Sequence, residues 1–160
     1  MVKKSTPRSK KKIMLCVFIV LIACLLIYSG IWYFVTHKKY ETYTEGLDIN
    51  ETGVLRKILN PVYYSGDGEH EYTVAFPGYL SYVGNLGVSE AQSGMALLIW
   101  PSIFGESEYG VILYDEGEEH QIVLKKEGEA ENSGEQKLVN QYAQNIEELF
   151  EFAKKQWGDI

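Results

Sequence analysis

Cysteine is nearly absent from this chain: its 160 residues hold two, Cys16 and Cys24. Both sit inside one apolar run, so the rest of the chain can form no internal disulfide and must be stabilised by packing. Acid is missing from the first 40 residues, which contain no Asp or Glu. Charge of either sign is missing from residues 13–35. Catalytic signatures are missing as well. There is no Gly-x-Ser-x-Gly elbow, no recognisable Ser, His and Asp arrangement, and no Gly-rich loop leading into a helix as phosphate binding requires. No cofactor is expected, and no enzyme. Zinc-ligand spacing and the EF-hand loop are absent too. Residues 13–35 also lack the Gly-x-x-x-Gly face on which membrane helices pair.

What is present begins with Lys3, Lys4, Arg8, Lys10, Lys11 and Lys12, a basic head that runs directly into the apolar stretch. As a helix its 23 residues would extend roughly 34 Å, against a hydrocarbon core of about 30 Å. The expectation is therefore a transmembrane helix over 13–35. Six cations precede it and only Lys38 and Lys39 follow closely, so the positive-inside bias keeps the N-terminus cytoplasmic and exports the remainder. Trp32, Tyr33 and Phe34 lie at the far end, where amphipathic rings favour the headgroup layer. Leu21-Ile22-Ala23-Cys24 has the shape of a lipoprotein cleavage box, and its use would leave lipidated Cys24 as the first residue. The downstream stretch 25–35 stays apolar instead of becoming a polar tether, which favours an uncleaved signal anchor. A Gly cleavage site followed by Phe and then an acid is absent, which excludes a type IV pilin subunit.

All 22 acids fall after residue 40. Six of the 15 Lys and Arg precede the span, leaving nine, so the exported part carries a net charge of about −13. Such a domain is a poor ligand for nucleic acid, whose phosphates select Lys and Arg. Residues 1–12 read as a cytoplasmic tail, 36–53 as a polar stalk, and 54–160 as one extracytoplasmic domain. Asn50-Glu51-Thr52 is a glycosylation sequon, meaningful only in a eukaryotic lumen, whereas the chain reads as bacterial.

The domain's pattern is that of short strands followed by a helix. After a short helical segment over 54–59, stretches 62–64 and 72–76 flank an acidic turn, and 79–83 resembles a further strand running on to residue 88. Residues 95–100 form a continuous apolar run, suggesting a strand covered on both faces. Stretches 109–114 and 121–125 enclose a second acidic turn. Ser133 with Gln136 has the form of a capping box ahead of a helix whose apolar stripe includes Leu138, Tyr142, Ile146, Leu149, Ala153 and Trp157. The expected fold is α+β: an N-terminal transmembrane helix, then an antiparallel meander of five or six strands covered by one C-terminal amphipathic helix.

Two groups of residues are candidates for function. Asp67, Glu69 and His70 in one turn, with Asp115, Glu118 and His120 in the other, could share a divalent ion if the turns met. Such turns are ordinarily polar for conformational reasons alone. His37, the third histidine, lies at the membrane edge. Trp100, Ile103 and Phe104 flank Pro101, where a strand should stop while apolar residues continue, and are candidates for contact with a protein partner. The expected role is non-catalytic: an acidic interaction domain at the bacterial cell envelope, serving as an accessory subunit. An immunity-type protein that binds a basic toxin, and a metal- or ligand-binding sensor, are the alternatives.

Overall fold

A computed structural model describes residues 7–49, 58–125 and 128–160. The chain divides into two compact units, Met1–Val35 and Thr36–Ile160.

The first unit is helical. Helix α1, Pro7–Glu41, is long and apolar enough to cross a membrane. Ile13, Leu15, Phe18, Ile19, Val20 and Leu21 point in all directions around its axis, and each is more than half exposed. An amphipathic core helix would hide one stripe and wet the other; this cylinder has no wet side.

Among the described residues of the second unit, seven strands follow one another across a single antiparallel sheet in the order of the chain. They are β1 (Asp48–Ile49), β2 (Val62–Gly66), β3 (His70–Ala75), β4 (Asn85–Glu90), β5 (Ala96–Trp100), β6 (Glu108–Asp115) and β7 (Glu118–Leu124). The count exceeds the five or six expected, because β1 is only two residues long and carries no alternation to read. Residues 36–53, read as a stalk, belong in part to the unit. Helix α1 continues to Glu41, Tyr40 is fully buried, and β1 pairs with β2. The sequon at 50–52 and most of the segment 54–59 lie outside the described residues.

Register sorts the side chains by face. Tyr72 and Val74 of β3 stand opposite Val88 and Leu86, which stand opposite Leu97 and Ile99. These in turn meet Val111 and Tyr109, then Ile122 and Leu124. That face is the core. It is covered by α2 (Gln136–Gln141) and α3 (Ala143–Trp157), which contribute Val139, Ile146, Leu149 and Ala153. Burying a Val, Ile or Leu side chain stabilises by about 1.5–3 kcal/mol. Two further contacts tie the C-terminal end down: Trp157 Nε1 donates to the Tyr43 carbonyl at 3.0 Å, and the Tyr109 hydroxyl to Ile160 O at 2.8 Å.

The C-terminal helix departs from expectation in two ways. It is interrupted at Tyr142 (φ −105°, ψ 17°), whose hydroxyl lies 2.9 Å from Asp115 Oδ1 and 3.1 Å from the Tyr114 carbonyl. It also starts later than the capping box implied. Glu135, not Ser133, precedes the first turn, and Gln136 Oε1 accepts from Ala130 N at 2.8 Å. The strand expected over 79–83 is a loop as well: β3 ends at Ala75, and Leu80 adopts a positive φ of 66°. That conformation breaks a ladder.

Candidate functional site

Because the sheet is a meander, its connections alternate between two ends. The β2–β3, β4–β5 and β6–β7 turns share one end, and the β3–β4 and β5–β6 loops share the other.

The first end is polar. In the β2–β3 turn Asp67 Oδ1 accepts from Glu69 N at 2.9 Å and His70 N at 2.7 Å, while Gly68 takes a positive φ. Those two N–H donors hold the Asp67 carboxyl below its ordinary pKa. The β6–β7 turn is two residues long, with Glu116 and Gly117 both at positive φ (49° and 86°) as a tight hairpin demands. The proposed metal ligands sit on these two turns, and the turns do not meet. Strands β4 and β5 stand between them, so the gap is three strand spacings, roughly 14 Å. Among the described residues no three His, Cys, Asp or Glu side chains are grouped to hold an ion. The His70 ring instead lies on Phe152, centroids 3.8 Å apart. His120 lines a groove of about 470 Å³ between β7 and α2, with Asp115, Glu119 and Gln141.

The aromatic candidates also separate. Trp100 belongs to the sheet face opposite the helices, together with Leu98, Ile112, Tyr114 and Val123. This corrects the expectation that 95–100 is covered on both faces: Leu97 and Ile99 are buried, Leu98 and Trp100 only half-buried. Gly110 makes room for the indole, since a Cβ there would lie 2.8 Å from the Trp100 ring. The result is a shallow apolar strip, running from Leu98 to the exposed Val123, with no helix over it among the described residues.

Ile103 and Phe104 lie elsewhere, in the β5–β6 loop, where Phe104 is 81% exposed and packs edge-on against Tyr82 of the β3–β4 loop. Both loops are fastened to the last turn of α1. The buried Tyr40 hydroxyl accepts from Gly84 N at 2.7 Å and donates to the Pro101 carbonyl at 3.1 Å. Lys39 Nζ donates to the Ser102 carbonyl at 2.6 Å. Gly84 has to be glycine: a Cβ would fall 2.2 Å from the Ala75 carbonyl and 2.8 Å from the Tyr40 ring. Sequence reasoning missed Tyr40 because its partners lie 44 and 61 residues away.

Compared with known proteins, the chain matches no family model, no curated protein and no solved structure.

Proposed function

We propose that this is a non-catalytic single-pass membrane protein, with its N-terminus cytoplasmic, that presents an acidic α+β domain to a protein partner at the outer face of a bacterial envelope. Residues 13–35 are the span, and the partner surface is the outer sheet face around Trp100. The observation that carries the reading is the apolar strip Leu98, Trp100, Ile112 and Val123 on the face that α2 and α3 leave open. A solvated antiparallel sheet ordinarily alternates to polar residues on that side. Here the middle of the face is aliphatic and aromatic, the composition of an interface centre, while the acidic surround supplies a charged rim. The basic head and the charge-free run support the anchor and its orientation.

The test is site-specific photo-cross-linking in cells, with the photoreactive residue at Val123 or Ile112 and a control at Glu147 on the exposed side of α3. One dominant adduct from the sheet positions and none from Glu147 is the expected result. The same adducts from all three positions, or none, would overturn the partner surface.

A further inference from the structure

The two ends of the sheet differ in chemistry, and the difference follows the membrane segment. The turns at the far end hold Asp67, Gly68, Glu69, Ala91, Gln92, Ser93, Gly94, Met95, Glu116 and Gly117; Met95, the large apolar side chain among them, is buried in the core, so none is exposed. The loops at the near end hold Tyr79, Leu80, Tyr82, Val83, Ile103 and Phe104. Tyr79 is 51% exposed, Leu80 48%, Val83 49% and Phe104 81%. Glu106 is the acid in these loops, whereas Lys39 of α1 reaches the Ser102 carbonyl and Lys38 precedes it in the chain.

Chain length limits how far this end can stand from a bilayer. Lys39 and Tyr40, which hold both loops, are four and five residues past Val35. Even fully extended, that is no more than roughly 14–18 Å; as helix it is about 6–8 Å. The headgroup layer is about 5–8 Å deep on each side of the hydrocarbon. Tyrosine and Phe beside aliphatic residues, with lysines reaching outward, are the composition that layer favours. The acidic remainder of the domain is repelled by anionic lipid, which leaves this end as the one suited to face the membrane.

We propose that the β3–β4 and β5–β6 loops dock on the lipid of the membrane that α1 crosses, seating Leu80, Val83, Ile103 and Phe104 in its interfacial layer. The proposal rests on the reading of α1 as an anchor. It divides the apolar surface into two parts, loops for lipid and the outer sheet face for protein.

The test uses the full-length protein, dilute in vesicles of phosphatidylcholine and phosphatidylglycerol, in a Cys16→Ser background. Single nitroxide labels are placed at native Cys24, and, with Cys24→Ser, at Leu80→Cys, Phe104→Cys or Glu116→Cys. Access to oxygen is compared with access to a water-soluble nickel chelate. The expected ratio is several-fold higher at 80 and 104 than at 116 and below that at 24, which lies at mid-span. Cys24 shielded from nickel with 80 and 104 as open as 116 overturns the lipid contact alone. Labels at 80 and 104 that are immobilised and shielded from both reagents mark a protein-covered patch and also overturn it. Nickel access at Cys24 itself removes the anchor and the proposal together.

Discussion

Removing one oxygen atom from Tyr40 isolates the contact that joins α1 to the domain's two loops. Tyr40→Phe keeps the ring, which packs against Phe76 and Tyr43, and deletes the hydroxyl. Two groups lose a partner: the Gly84 N–H at 2.7 Å and the Pro101 carbonyl at 3.1 Å. The carbonyl tolerates this better than the amide, because an orphaned N–H has no second way of being satisfied. Water cannot substitute readily, since Tyr40 and Pro101 are both buried. The Gly84 N–H is itself part-buried, and leaving such a donor unpaired beside these residues costs about 1–3 kcal/mol. The unit Thr36–Ile160 has 125 residues, so its unfolding entropy is about 0.26 kcal/mol per degree and the melting temperature should fall by roughly 4–11 °C. Hydrogen exchange gives the local readout: protection at Gly84 should drop by about 5- to 140-fold if opening of the loop carries the loss. Tyr64→Phe is the control. It also removes a tyrosine hydrogen bond, to Glu71 Oε1 at 3.0 Å, but at an exposed site where water replaces it. An unchanged melting temperature and unchanged Gly84 exchange in Tyr40→Phe would refute the reasoning, as would an equal effect from Tyr64→Phe.

Three further outcomes follow from the same packing. Leu149→Ala empties a buried site where α3 meets the sheet and should cost about 2–5 kcal/mol, read by urea unfolding. Gly110→Val forces the Trp100 ring off its seat and should cost about 1–3 kcal/mol, with a changed indole emission as the local sign. The Asp67 carboxylate, held below its ordinary pKa by two backbone N–H groups, stabilises the β2–β3 turn above the unfolded-state carboxylate pKa of about 3.9. Its contribution is lost as pH falls through the depressed folded value. The difference in stability between the native chain and Asp67→Ala should therefore shrink on acidification below pH about 4, and a constant difference would contradict it.

The legible parts of this fold are those set by local pattern. The charge-free run 13–35, the strand 96–100 and the two acidic hairpins each carry their signal within a few consecutive residues. Elements set by long-range contacts were not legible. Tyr40 reads as a stalk residue because the groups that bury it are Gly84 and Pro101. Residues 79–83 look like a strand because aromatic and aliphatic residues are frequent in both strands and interface loops, and only the positive φ of Leu80 separates the two. The paired acidic turns share one end of the sheet, as a metal site would need, yet strand order, which composition does not encode, keeps β4 and β5 between them. The candidates Trp100, Ile103 and Phe104 stand within five residues of one another in the sequence. Register divides them, placing Trp100 on the sheet face and Phe104 beside Tyr82 in the loops.

The claim on which the rest depends is topology. In protoplasts of cells making the full-length protein, a membrane-impermeant maleimide should label Glu116→Cys before lysis and Lys10→Cys only after it. The mass of the purified chain should include the residues before Cys24. Labelling of Lys10→Cys in intact protoplasts, protection of Glu116→Cys, or a chain beginning at lipidated Cys24 would contradict an N-terminal anchor with an external domain.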